Sequence, residues 1–270
     1  MHEILTALEE GAKVLDLGSG GGSFDATPFS LQIVRADLAP RVKGGGNVVA
    51  CSASQLPFVS GAFRALVLNH SLEHFENLAD SIGEIARVLA RDGYLYVAVP
   101  DASTFTDRVY RWLGRGGGHV NPFTDAVALA RMLTDATGLQ HAGTRVLCTS
   151  LSFLNRRNIP ARPPRKLLLF GNGRESVVRV LTFALRAIDR WFGTRASVYG
   201  WAFFFGKPLA PDLAVWTNVC IRCGSGVPSA NLESEARVQH RRILPDVYTC
   251  PRCGTRNLFT DDADLRHLTR

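Results

Sequence analysis

No uninterrupted apolar run of about 18 residues occurs in this chain, which argues against a membrane-spanning helix. No Gly-Lys-Ser/Thr triplet follows a glycine-rich turn, so a phosphate-cradling P-loop is excluded. Solenoid-type repeats are absent as well. Charged residues are few, 20% against 46% apolar, the balance of a globular protein with a real core. The opening MHEILTALEE carries early acids and leads straight into a strand pattern, so it does not read as a secretory signal. The expectation is a cytoplasmic, reducing setting, with thiols free or metal-bound rather than paired as disulfides. The 270 residues suffice for one large domain, or one domain with a small module.

Acids are scarce in one segment. Residues 145–195 hold eleven Lys and Arg against two acids, a surplus of nine, while the whole chain carries only +7. The excess therefore sits in one place and needs its own explanation.

Short β-rich runs at 13–17, 32–37, 47–50, 65–69 and 94–99 alternate with helical patterning, as in the apolar spacing of 77–89. Units of this length predict a mostly parallel sheet with helices on both faces. Asp92-Gly93 reads as the turn ending the helix, Thr124 as the N-cap of a helix over 124–137 closed by Gly138, and 146–153 and 198–206 as further strands. The Pro-containing stretch 207–211 reads as a linker. Expected domains are 1–210, with a basic helical insertion at about 154–196, and 211–270.

The run VLDLGSGGGSF at 14–24 sets Asp16, Gly18, Gly20 and Gly22 at alternate positions directly after a buried strand. Glycines there let a ligand approach the backbone closely. The spacing departs from a dinucleotide fingerprint, because Ser23 stands where the third glycine belongs. Asp37 ends the next strand, where a carboxylate can accept bonds from vicinal ribose hydroxyls, roughly 1.5–3 kcal/mol each. The alternative is that Asp37 caps the turn before Pro40.

The segment 55–101, QLPFVSGAFRALVLNHSLEHFENLADSIGEIARVLARDGYLYVAVPD, with GHVNPFT at 118–124, resembles the class I S-adenosylmethionine-dependent methyltransferases of the broad LPF/LEH group. The resemblance covers about 12–150 and the strand at 198–206. It implies a Rossmann-like sheet, mostly parallel with an antiparallel last strand, that binds S-adenosylmethionine. Carried over, Asp16, Gly18, Ser19, Gly20 and Gly22 would face the methionine moiety and Asp37 with Leu38 the ribose. Ser52 and Ala53 would lie beside the adenine and Asn69 near the methionine end. Ser52 and Arg64 stand where the family commonly has acids, and Pro28 shortens the usual first helix to a turn or so. His74, His119 and, more weakly, His70 are candidate general bases, each with capping or packing as the alternative, while Glu73 reads as structural.

Cys220-x-x-Cys223-Gly and Cys250-x-x-Cys253-Gly form two knuckles suited to one tetrahedral ion, a closed structural zinc ribbon. Cys51 and Cys148 read as packing residues.

Residues 175–192 pattern as an amphipathic helix, with Arg179, Arg186 and Arg190 opposite Val177, Leu181, Ala184, Ile188 and Trp191. It could lie on an anionic membrane, cap a substrate, or pack with its basic face solvated. The leading expectation is methyl transfer to a small-molecule or lipid-linked acceptor. The alternatives are a non-catalytic scaffold whose ribbon docks a protein partner, and an RNA methyltransferase. Against the last, no Asn/Asp-Pro-Pro-aromatic motif follows the fourth strand.

Overall fold

The computed structural model describes residues 1–40, 47–113, 118–148, 151–156, 164–207, 216–223, 225–242 and 246–260. Contacts divide the chain into two compact units. One comprises Met1–Pro100, His119–Thr144 and Trp201–Leu213, the other Asp101–Gly118, Arg145–Gly200 and Ala214–Arg270. The 207–211 linker and the domain boundary expected at 210 fall, but for Lys207, outside the described residues.

The first unit begins with α1 (His2–Thr6), then β1 (Lys13–Leu17), β2 (Gln32–Asp37), β3 (Asn47–Ala50) and β4 (Phe63–Asn69). α2 (Leu78–Val88) and β5 (Leu89–Pro100) follow, and α3 (Phe105–Leu113) belongs to the second unit. α4 (Ala126–Thr137), the start of β6 (His141–Cys148) and most of β7 (Val198–Phe205) complete the first unit. Its strands run β3-β2-β1-β4-β5-β7-β6, the first five parallel. Gly206, after β7, sits against Gly93 and Tyr94 in the first half of β5, and Asp101 N–H, just past β5, donates to Tyr199 O early in β7. β7 is therefore antiparallel to β5, as expected.

Val14, Leu15, Ala65, Leu66, Val67 and Leu68 are fully buried, because β1 and β4 are covered on both faces and so read as continuous apolar runs. Each large side chain among them contributes about 1.5–3 kcal/mol. Between β1 and β2 the chain forms turns and no helix, as Pro28 predicted.

Three expectations need correction. α2 stops at Val88, and Asp92-Gly93 lies inside β5 at an irregularity opposite Phe63–Ala65. A Cβ on Gly93 would stand 2.8 Å from Arg64 O, so the glycine serves close strand approach rather than a helix end. The α4 N-cap is Asp125, not Thr124: its carboxylate accepts from Val127 N–H and Ala128 N–H, and a charged acceptor at a helix N-terminus outcompetes a neighbouring hydroxyl. The strand expected at 146–153 is His141–Cys148 followed by a 3-10 turn at Ser152–Leu154. Leu151 and Leu154 point together into a buried cluster there, a spacing that a strand could not supply.

In the second unit, Val109 of α3 joins Leu151, Leu154, Leu167, Ile221 and Val178 of α5 (Glu175–Phe192) in that cluster. The end of β6 pairs parallel with β8 (Trp216–Val219), and β8 antiparallel with β9 (Gly226–Pro228). α6 (Ser229–Ser234) precedes a small antiparallel sheet of β10 (Val238–Gln239), β11 (Val247–Thr249) and β12 (Arg256–Leu258). α5 lies opposite to the reading that left its basic face solvated. Arg179 and Arg186 are half-buried, and Arg186 donates to Leu258 O at 3.0 Å. The apolar residues are divided: Val178 is buried and Leu181 and Leu185 pack against the cluster, while Val180 at 66% and Trp191 at 75% are exposed. Nothing is described of the Arg190 side chain.

Candidate functional site

The parallel strands of the first unit end level, β1 at Leu17, β2 at Asp37, β3 at Ala50 and β4 at Asn69. The candidates from Asp16 to His74 lie on or just past this carboxyl edge, where open α/β sheets bind ligands.

The glycine loop is held by Gly18 N–H donating to Ala36 O at 2.7 Å and Gly22 N–H to Ser19 O at 2.7 Å. Gly18 has φ of +71°, and a Cβ there would fall 2.4 Å from the Ser71 Cβ, so a side chain is excluded on both counts. Ser71 Oγ donates to Leu17 O at 2.9 Å, tying the end of β1 to the turn after β4. Gly22 lies against the Arg35 guanidinium, whereas a Cβ on Gly20 would meet nothing within 4 Å, which leaves that part of the loop open.

Asp16 is fully buried. Its Oδ2 accepts from Ser23 N–H at 2.9 Å and lies 4.0 Å from Arg35 Nε, while its buried Oδ1 has no hydrogen-bond partner. Burial raises its pKa, against the lowering effects of Ser23 and Arg35. An unsatisfied buried carboxylate oxygen at the base of an open glycine loop fits the ammonium group of S-adenosylmethionine.

Asp37 Oδ2 accepts from Gly20 N–H at 2.7 Å and Oδ1 from Ala39 N–H at 2.9 Å. It thus caps the following turn and braces the glycine loop. Each carboxylate oxygen keeps a further lone pair for a hydroxyl donor. Leu38 beside it is 79% exposed, an apolar surface at the place where the ribose was expected. Cys51 N–H donates to Asp37 O, which brings Ser52 and half-buried Ala53 to the same edge. Ser52 Oγ is engaged with Ser54 Oγ at 2.9 Å.

Past half-buried Asn69, His70 takes a φ of 56° and the chain turns through Leu72–His74. Glu73 is 1% exposed, and its Oε1 lies 3.8 Å from His70 Nδ1 and 3.9 Å from His74 Nε2. The His74 and His119 rings stand edge to face, 4.8 Å between centroids. Burial, with the neighbouring His119 and His74, lowers the His70 pKa to about 4. Val120 N–H and Asn121 N–H both donate to Glu73 O, and Asn121 Nδ2 donates to Leu72 O and Phe75 O. Sequence reasoning overlooked Asn121. Its signal was a two-donor side chain two residues after a candidate histidine.

The LPF and RVL portions of the motif are structural. Arg87 donates to Phe58 O at 2.6 Å and Leu56 O at 2.9 Å, and Glu84 accepts from Leu56 N–H at 2.7 Å. Arg64, at a position where an acid was expected, pairs with Asp92.

In the second unit the four cysteines converge. Cys220 and Cys253 Sγ lie 3.6 Å apart, Cys223 and Cys250 Sγ 3.8 Å, and all four within 4.8 Å of one another. Tetrahedral zinc with bonds of about 2.3 Å sets sulfurs about 3.8 Å apart. Arg222 N–H and Asn257 Nδ2 point at Cys220 Sγ, donors suited to a thiolate. Cys220, Leu232, Tyr248, Cys250 and Phe259 form a buried cluster around the sulfurs. Gly224 lies outside the described residues.

Comparison with known proteins follows this geometry. An uncharacterized protein, MJ1123, of Methanocaldococcus jannaschii is 32% identical over 100 residues, 36% of this chain and 48% of that protein. The chain thus spans about half the length of the curated relative it matches. A Galdieria sulphuraria structure assigned as a sarcosine dimethylglycine methyltransferase shares the fold at a TM-score of 0.51 and 19% identity, covering 76% of this chain and 81% of that one. A Bacillus halodurans structure assigned as a methyltransferase aligns over 75% of this chain and 95% of its own at 18% identity and a TM-score of 0.49. A family model described as a methyltransferase domain matches residues 1–141, more than half of the sequence, and the chain belongs to that family.

Proposed function

We propose that the protein transfers the methyl group of S-adenosylmethionine to a small-molecule or lipid-linked acceptor. The observation that carries this reading is the buried, unpartnered Asp16 Oδ1 on the strand that feeds a glycine loop open at Gly20 and braced by Asp37. When bound, the cofactor's sulfonium supplies an activated methyl group. Asp16 and the loop backbone would hold the methionine end, Asp37 with Leu38 the ribose, and Ala53 with the Ser52 backbone the adenine. Asn69, His74 and His119 lie at the end of β4, where they would orient the acceptor, and an imidazole there would take a proton from a hydroxyl acceptor. We also propose that the four cysteines hold a structural zinc ion, since a closed thiolate site leaves no position for substrate.

The lipid-linked arm draws support from α5. Val180, Phe183, Ile188, Trp191 and the nearby Leu168 and Leu169 are exposed on a segment rich in arginine, which suits an anionic bilayer. Incubation with methyl-labelled S-adenosylmethionine and either lipid-extract vesicles or a water-soluble metabolite extract tests the reading. Label is expected in the organic phase, and label transferred from neither mixture, with the protein folded, would refute it.

A further inference from the structure

We infer that Glu73, His74 and His119 form a second metal site, for one divalent first-row transition ion. Their ligand atoms all lie within 4.8 Å of one another. Around an ion with bonds of about 2.1 Å, neighbouring ligands stand about 3.0–3.4 Å apart and opposite ones about 4.2 Å, so small side-chain shifts close the site. Two imidazoles and one carboxylate suit zinc, iron(II), cobalt or manganese.

The backbone builds this arrangement. Glu73 O accepts from both Val120 N–H (2.9 Å) and Asn121 N–H (3.0 Å), and the Asn121 side chain adds two bonds to Leu72 O and Phe75 O. Four hydrogen bonds therefore staple the loop bearing His119 to the turn bearing Glu73 and His74. Glu73 is buried among imidazoles, with His70 and His74 both within 4 Å of its Oε1, so oxygen and nitrogen ligand atoms already converge there. The four-cysteine cluster is a different case, because its ligand set is complete. Three protein ligands leave positions open for an acceptor.

This site deepens the proposed methyl transfer and rests on that reading for its role, namely that the acceptor presents a hydroxyl oxygen to the ion. In the transfer, the sulfur–methyl bond breaks with its electron pair going to sulfur. The oxygen–methyl bond forms, and the hydroxyl proton leaves to solvent. With the ion bound the imidazoles are ligands, so this release to solvent replaces the proton transfer to an imidazole that would operate without a metal.

Isothermal titration with cobalt(II), on protein carrying a single zinc equivalent per chain so that only the four-cysteine cluster is filled, tests the site without any turnover. One ion is expected per chain, with affinity reduced at least tenfold in both His119→Ala and His74→Gln, while S-adenosylmethionine affinity stays within threefold. His119 lies on a partly exposed loop, so its variant is expected to fold even if one at Glu73 does not. No cobalt binding at 1 mM, or binding unchanged in both variants, would overturn the proposal. Cobalt binding lost in the variants, in a protein that never binds S-adenosylmethionine, would leave the metal site standing and remove the methyl-transfer reading alone.

Discussion

At Asp16, stability and the proposed cofactor contact pull against each other. Its raised pKa means that the folded state holds the proton more tightly than the unfolded chain does. The buried charge is therefore a cost above the raised value, one that fades as pH falls through it. Asp16→Asn keeps an acceptor for Ser23 N–H and removes the charge. The expected result is an unchanged or higher melting temperature at neutral pH, a difference that shrinks in acid, and at least tenfold weaker S-adenosylmethionine binding. A variant that binds as well as the parent would show that the unpartnered oxygen faces no ligand. Asp37→Ala should weaken the cofactor about ten- to hundredfold, from losing charge-assisted hydroxyl bonds of about 1.5–3 kcal/mol. Equilibrium dialysis of the labelled cofactor checks the range. These two acids were legible in the sequence because Asp37 ends one strand run and Asp16 stands one residue before the end of another. The meeting of Glu73 with His119 was not, since it depends on Asn121 and on backbone bonds between segments nearly fifty residues apart.

At the scale of elements, α5 buries Val178 with Leu181 and Leu185 against it, and presents a second apolar stripe, Val180, Phe183 and Trp191, to solvent. Its buried positions, Val178, Thr182 and Asp189, fall on the helix side that carries Arg179 and Arg186. A helical wheel shows two faces but not which one finds a partner. Here the partners, Leu151, Leu154, Leu167 and Ile221, come from distant segments. Val180→Asp with Trp191→Glu is expected to abolish sedimentation with vesicles containing anionic lipid while leaving the melting temperature within about 2 °C, since exposed positions contribute little to stability. Undiminished sedimentation would place the lipid contact elsewhere. α3 escaped detection although Thr104 and Asp107 make a capping pattern, the Asp107 N–H donating to Thr104 Oγ1. The strands β1 to β3 were legible residue for residue, because their apolar runs are short and bounded by glycine, proline or aspartate. In the cysteine-rich element, zinc would contribute on the order of 10–16 kcal/mol. Chelation should open the segment from Cys220 to Phe259 to limited proteolysis, with one zinc released per chain. A segment equally resistant with and without metal would contradict a structural ion.

For the molecule as a whole, the proposed cofactor chemistry belongs to the first unit, and the cysteine cluster and α5 belong to the second. The basic surplus of residues 145–195 belongs to that second unit. Its family membership rests on residues 1–141, which is where the loop, the two acids and the histidine cluster lie. The central claim is that the carboxyl edge of the first unit's sheet grips S-adenosylmethionine. Calorimetric titration of the intact, zinc-loaded chain with S-adenosylmethionine measures this directly. The account predicts one binding event per chain, weakened in Asp37→Ala. The absence of any heat up to millimolar cofactor, in protein shown to be folded, would contradict it.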